Sequence, residues 1–356
     1  MTGFRSNLTT SSEEDIPAGK MNFGAIPGLL GVSSDGARFR GFIYGSPETD
    51  DEIKLAEYPL SIHLSRQSGR LFDSSENDSE FMDFGRYSMS QERQEVRYSR
   101  KFPFSRYGQW IFRRRDSGFD LIFNSTYARY SELVMTMHPV PDLLASIFSY
   151  YLLLENDFLS LHCSAVNFEG EKTAAIFALP NTGKTQTSYK LVTENGAKLV
   201  AEDITVYGRD RLYPCPFTRS GAYFLTKKTV SRPFWTKRAY ADRLFDHLDD
   251  KLVCLSGPVA PPSTIFILKP GQQPGTRRLS SDEAFSMVYG LNSAEFEGIA
   301  RHSLLDIVGA SGWPDLSVVD LKRHELTRTL IDGCGGELFE LTAPDSEGFA
   351  ALARSG

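Results

Sequence analysis

The sequence predicts a mixed α/β protein with a smaller β-rich module near its N-terminal end. Between about residues 31 and 135, short strand-forming runs such as Leu60–Leu64 and Trp110–Arg114 are separated by turn-like clusters. From residue 136 to 356, apolar strand-like segments alternate with helical patterns, which is typical of an α/β domain. Residues 1–30 are rich in Ser, Thr, Gly and acidic residues, and we predict that they form a flexible tail.

The bulk composition excludes several classes of protein. The chain has 356 residues, of which 41% are hydrophobic, so it contains ample material for a core. Its formal net charge of −6 argues against general binding to nucleic acid. The longest apolar stretch, Leu143–Leu154, is shorter than the roughly 20 residues that a membrane-spanning helix needs. We therefore expect no membrane partner. The four cysteines are widely spaced and form no CxxC pair, so we expect a reducing, cytoplasmic location.

The α/β pattern is clearest between residues 161 and 203. Its predicted elements are two strands (Leu161–Phe168 and Thr173–Leu179), a loop (180–183), a helix (Lys184–Glu194) and a further strand (Lys198–Ala201). Gly196 suits the left-handed position just past a helix end. Later elements are a strand at Thr264–Leu268, a helix at Ser281–Tyr289 and a strand at Glu337–Leu341. A repeated strand–helix order of this kind predicts a layered sheet with helices on its faces.

Residues 178–185 (ALPNTGKT) match most of the pattern of a phosphate-binding loop, or P-loop. The tripeptide Gly183-Lys184-Thr185 follows an apolar strand and opens a helix, where backbone N–H groups and the helix dipole favour an anion. Alanine stands at position 178 where the pattern asks for glycine, while Asn181 tolerates a positive φ. The predicted nucleotide-binding residues are Asn181, Thr182, Gly183, Lys184, Thr185 and Gln186.

Acidic residues at the end of the next strand complete the predicted site. Glu202 and Asp203 follow Lys198–Ala201 directly. In phosphate-loop proteins a carboxylate in this position and the loop hydroxyl bind Mg²⁺, so we predict Thr185 and Asp203 as metal ligands. Either acid would accept the proton of an attacking hydroxyl. His162 begins the strand that precedes the loop strand, and it reaches the same edge of the sheet if the two strands are neighbours.

The block 161–207 resembles the core of the HPr kinase/phosphorylase family. The order of histidine, strand, phosphate loop, helix, strand and acidic pair is similar, and residues 261–272, 277–292 and 336–344 resemble later elements. The resemblance implies a phosphate-loop kinase fold related to phosphoenolpyruvate carboxykinase and transfer of the γ-phosphoryl group of ATP to a serine hydroxyl. It also implies that Lys184 holds the triphosphate, that Glu202 and Asp203 act on the metal and the acceptor hydroxyl, and that His162 belongs to the site.

Several positions depart from the family pattern. Ala178 and Asn181 stand where relatives usually have glycine, and Glu202 stands where they usually have aspartate. The leading prediction is a kinase that uses ATP and Mg²⁺ and phosphorylates a hydroxyl of a protein, peptide or small molecule. The alternatives are a nucleotide-binding scaffold or sensor with little catalysis, and a nucleotide hydrolase.

The N-terminal module has no catalytic motif of its own. It would contribute substrate recognition or the contacts of a homo-oligomer. Its basic and aromatic segment 97–115 is interpreted as a β-hairpin with solvated arginines, and the alternative is a surface for an acidic or phosphorylated partner.

Overall fold

Three β-sheets and six helices of nine or more residues form the part of the chain that the computed structural model describes. The described residues are 20–35, 43–44, 54–73, 80–102, 105–133, 141–168, 172–215, 257–300, 309, 313 and 315–355. Within them, no helix combines the length and the hydropathy needed to cross a membrane. The mixed α/β class is confirmed, as is the concentration of strands before residue 135.

The first sheet has eight strands, all of them before residue 125. They are β1 (Lys20–Ile26), β2 (Leu30–Asp35), β3 (Leu60–Gln67), β4 (Met82–Asp83), β5 (Tyr87–Ser90), β6 (Glu95–Phe102), β7 (Arg106–Arg115) and β8 (Gly118–Asn124). Their order across the sheet is β1-β2-β3-β8-β7-β6-β5-β4. The predicted strands Leu60–Leu64 and Trp110–Arg114 lie within β3 and β7 and are confirmed.

The predicted flexible tail is wrong for residues 20–30. These residues form β1 and the start of β2, which pair antiparallel at the edge of the eight-stranded sheet. Phe23 and Ala25 alternate with Asn22 and Gly24, and both apolar side chains are buried. This period of two is the pattern of a strand with one face in the core, but it is too short to stand out among the preceding polar residues. Residues 1–19 lie outside the described part of the chain.

The basic segment 97–115 is a β-hairpin, since β6 and β7 pair antiparallel. Two of its arginines are not simply solvated. Arg97 and Arg113 bind the carboxylate of Glu95 at 2.6 and 2.7 Å, and the Glu95 side chain is only 1% exposed. A buried carboxylate needs such partners, so these arginines stabilise the sheet.

The second sheet has six strands and belongs to the predicted α/β part. They are β10 (Cys163–Asn167), β11 (Thr173–Phe177), β12 (Lys198–Ala201), β15 (Thr264–Pro270), β16 (Gly275–Arg278) and β17 (Leu338–Ala343), in the order β12-β10-β11-β15-β17-β16. The central strands β11, β15 and β17 are parallel. The helices are α1 (Ser125–Leu133), α2 (Pro141–Glu155), α3 (Lys184–Asn195), α4 (Ser281–Ala300), α5 (Leu316–Gly333) and α6 (Ser346–Ser355).

Helices cover both faces of the six-stranded sheet. Along β11, Ala174 and Ile176 belong to a cluster shared with α3 and α6. The alternate residues Ala175 and Phe177 belong to a cluster shared with α2, α4 and α5. The latter cluster continues into the eight-stranded sheet, so the β-rich module and the α/β part share one core. The boundary predicted at residues 135/136 stays a prediction.

The predicted strand Leu161–Phe168 is in fact two strands in different sheets. β9 (Leu159–Leu161) pairs with the hairpin of β13 (Thr205–Gly208) and β14 (Arg211–Pro214) in a three-stranded sheet, whereas β10 enters the six-stranded sheet. His162 lies at the point where the chain passes from one sheet to the other. The apolar pattern runs unbroken through this point because both strands are buried, so periodicity could not show the break.

Candidate functional site

The predicted site residues converge because of strand direction. β10 runs antiparallel to both of its neighbours, β11 and β12, and pairs Cys163 with Phe177. The amino end of β10 therefore meets the carboxyl ends of β11 and β12 at one edge of the sheet. Three groups leave the sheet at that edge: His162, the loop after β11, and Glu202-Asp203. The expectation that His162 and the loop share an edge is confirmed.

The loop at 178–185 has two residues in the left-handed region. Asn181 has a φ of 63° and Gly183 a φ of 106°. Asparagine tolerates this region better than most residues, and glycine enters it without steric cost. Ala178 is buried and does not have a positive φ. Alanine at this position therefore costs no backbone strain.

The start of α3 is arranged like an anion-binding site. Its N-cap is Gly183, which offers no capping side chain, and the first turn contains no acidic residue. Thr187 makes the first helical hydrogen bond, to the carbonyl of Gly183. The amides of the residues before it have no acceptor within the helix. Together with the helix dipole, these amides favour a negatively charged ligand.

Lys184 supplies the positive charge at this helix start. Its side chain is only 6% exposed, and Nζ lies 2.8 Å from His162 Nε2 and 3.9 Å from Asp203 Oδ1. Nζ also lies 3.5 Å from the carbonyl oxygen of Ala178, so the lysine reaches back to the beginning of its own loop. Burial lowers the pKa of Lys184, and the nearby carboxylates, Asp203 foremost, oppose that shift. An added anion would favour the charged ammonium form further.

His162 lies between two carboxylates. Nε2 is 3.0 Å from Asp203 Oδ1, and Nδ1 is 3.3 Å from Glu295 Oε2. The main-chain N–H of His162 donates to Asn292 Oδ1 at 2.8 Å. These contacts hold His162 at its backbone and at both ring nitrogens, so they fix the orientation of the imidazole ring.

The two acids of the predicted pair lie in different environments. Glu202 is 1% exposed, and its main-chain carbonyl accepts a hydrogen bond from Ser164 Oγ. The side chain of Asp203 is 23% exposed and faces His162 and Lys184. Only Asp203 is therefore placed both to contact the lysine of the loop and to meet a molecule that enters from solvent.

The remaining predicted residues surround the helix start. Thr185 is buried, Thr182 is partly buried and Gln186 is exposed, where its Oε1 accepts a hydrogen bond from Ser346 Oγ of α6 at 3.3 Å. Among the described residues, no three His, Cys, Asp or Glu side chains cluster as a metal site.

Two site residues were missed from the sequence, Asn292 and Glu295. Both lie in α4, which was predicted to end at Tyr289 but continues to Ala300. The apolar residues Phe296 and Ile299 continue the helical pattern, so the sequence could have predicted the full length of this helix. It could not have predicted the contact with His162, since about 130 residues separate them.

The site thus combines a helix start suited to an anion with the buried Lys184, the partly exposed carboxylate of Asp203 and the oriented ring of His162. These groups are able to bind a phosphorylated ligand and to accept a proton beside it. The resemblance of residues 161–207 to HPr kinase/phosphorylase stays a sequence-based expectation. No model of a known protein family matches the chain, and a search of curated proteins finds no match for it.

Proposed function

We propose that this protein is a kinase that uses ATP and Mg²⁺ and transfers the γ-phosphoryl group to a hydroxyl of a protein, peptide or small molecule. One observation carries the proposal. Lys184, the first residue of α3, lies in a buried position 3.9 Å from the carboxylate of Asp203 and within hydrogen-bonding distance of His162. A phosphate-binding helix start, a lysine and an acid in one place are the parts that phosphoryl transfer needs.

The role of each residue follows from its position. The amides at the start of α3 and the ammonium of Lys184 would stabilise negative charge on the β- and γ-phosphates. Thr185 and Asp203 would hold Mg²⁺, which supplies further charge neutralisation when bound. As the acceptor oxygen bonds to the γ-phosphorus, the bond from that phosphorus to the β–γ bridging oxygen breaks and ADP leaves. Glu202 or Asp203 would take the hydroxyl proton, aided by His162, and Asp203, which borders solvent, would be the better placed of the two to release it to water.

Binding and transfer measurements on matched variants test this proposal. Lys184→Ala should abolish binding of MgATP and MgGTP in calorimetric titrations, whereas Asp203→Asn should retain binding and lose transfer from γ-labelled nucleotide. Lys190→Ala is the control, because Lys190 lies on the same helix and its ion pairs with described residues are with the exposed Glu194 and Glu347. Nucleotide binding that is unchanged in Lys184→Ala would overturn the proposal.

A nucleotide-binding scaffold or sensor is the second candidate function. The observation that favours it is that Lys184 already has partners inside the site, with Nζ 2.8 Å from His162 Nε2. Binding of a nucleotide would change these contacts and so alter the site without any transfer. Saturable nucleotide binding with neither phosphorylated product nor free phosphate would support the sensor, and release of free phosphate alone would indicate a hydrolase.

A further inference from the structure

Helix α4 holds His162 from a distant part of the chain. Asn292 accepts the main-chain N–H of His162 at 2.8 Å and donates through Nδ2 to the carbonyl of Ser160 at 2.9 Å. Glu295 places Oε2 3.3 Å from His162 Nδ1. Residues three apart lie on one face of a helix, so a single face of α4 contacts both the backbone and the ring of His162.

We infer that Glu295 is a positioning residue that holds the Nδ1–H group of His162, so that Nε2 is directed at Asp203 and Lys184. An imidazole with a hydrogen on Nδ1 donates it to the carboxylate of Glu295, which fixes the ring orientation. Nε2 lies 2.8 Å from Lys184 Nζ and 3.0 Å from Asp203 Oδ1, while Nδ1, between Glu295 and the same Nζ at 3.2 Å, is the ring nitrogen that Glu295 contacts. The consequence for phosphoryl transfer rests on the proposed function, but the orientation of the ring does not.

The two residues of α4 have different roles: Asn292 holds the backbone at His162, and Glu295 orients the imidazole ring. Asn292 is 3% exposed, and both of its side-chain hydrogen bonds to described residues are with backbone groups, so it determines the position of the His162 backbone. The side chain of Glu295 is 37% exposed, and its ion pair within the described residues is with the ring of His162, so its removal leaves little buried surface uncovered. Glu295 can therefore be changed without unfolding the junction between the sheets.

Helix α4 is itself fixed next to these residues. Arg323 of α5 is 7% exposed and donates from Nη2 to Ser293 Oγ at 2.7 Å. Because Ser293 lies between Asn292 and Glu295 in the chain, this bond anchors the segment that contacts His162. A rigid support of this kind is what a side chain acting through another residue requires.

Side-chain nitrogen NMR of the full-length protein tests the orientation directly. The histidine resonances are measured in wild type, Glu295→Ala, Glu295→Gln and the control Glu297→Ala, and the His162 signal is assigned by its loss in His162→Gln. We expect a hydrogen-bonded Nδ1–H in wild type and in Glu297→Ala, loss of that hydrogen bond in Glu295→Ala, and partial rescue in Glu295→Gln, whose amide oxygen still accepts the bond. An unchanged His162 signal in Glu295→Ala would overturn the inference.

Kinetics separate this inference from the proposed function. The charge of Glu295 acts on Lys184 without a hydrogen bond or ion pair between the two side chains, so Glu295→Ala should change the Kd for MgATP far less than Lys184→Ala does. It should lower kcat about tenfold, less than the roughly 100-fold or more expected for loss of the proton-transfer group itself. A Glu295→Ala kcat equal to that of wild type would remove the catalytic part of the inference. If wild type transfers no phosphoryl group, the proposed function fails, and the NMR result alone decides whether Glu295 orients His162.

Discussion

The bridge made by Asn292 yields the most direct stability prediction. Asn292→Ala removes an acceptor from the N–H of His162 and a donor from the carbonyl of Ser160, both deep in the protein. The alanine methyl group can replace neither bond. A buried polar group left unpaired costs about 1–3 kcal/mol, so the two together should lower the free energy of unfolding by about 2–6 kcal/mol.

Denaturant unfolding and amide hydrogen exchange measure this effect globally and locally. The exchange of the His162 amide should accelerate by about 30-fold or more, which corresponds to the lower end of that range at 1.4 kcal/mol per factor of ten. Asn195→Ala is the control, because Asn195 lies at the end of α3 and its side-chain hydrogen bonds to described residues are longer, at 3.1 and 3.5 Å. An Asn292→Ala variant within about 1 kcal/mol of wild type, with normal exchange at His162, would refute the reasoning.

Two further predictions concern packing and pH. Gly118→Ala would place its Cβ 1.6 Å from the carbonyl oxygen of Ser61 on the neighbouring strand, so we expect a loss of more than about 3 kcal/mol in denaturant unfolding, whereas Gly275→Ala, with open space around it, should unfold like wild type. Hydrogen bonds, first from the Ser280 backbone, lower the pKa of Glu283 from 4.5 to about 2. Its stabilising contribution is therefore present above about pH 4.5 and is lost as the pH falls towards 2. Glu283→Gln should lower Tm at pH 7, and its difference from wild type should disappear by about pH 2; a constant difference would contradict this.

The loop at 178–185 was predictable because its determinants are local. An apolar run, a residue that tolerates positive φ, a glycine and a helical pattern follow one another within about a dozen residues. Asn181 and Gly183 take the left-handed conformations that their residue types favour. Gly196, in the left-handed region with a φ of 71°, ends α3 as predicted. Such choices depend on each residue's own conformational preferences and on its nearest neighbours.

The break at His162 was not predictable in the same way. Leu161 and Cys163 are both fully buried, so the residues on either side carry the same apolar signal although they belong to different sheets. The polar backbone groups of the junction form hydrogen bonds with Asn292. Because Asn292 lies about 130 residues further along the chain, no local sequence pattern could predict these bonds. The alternation of apolar and polar residues across His162 therefore indicated burial correctly but did not show that the chain changes sheets there.

The residue types alone were enough to indicate a mixed α/β chain, a loop suited to phosphate and an acidic pair after the next strand. Pairing of β10 between β11 and β12 was needed to bring His162, Lys184 and Asp203 within 4 Å of one another. Packing of α4 was needed to bring Glu295 to His162. The tertiary structure also buries Glu202 while it leaves Asp203 partly exposed. The reason is physical: backbone preferences act over a few residues, whereas burial and charge pairing depend on which distant segments the core brings together.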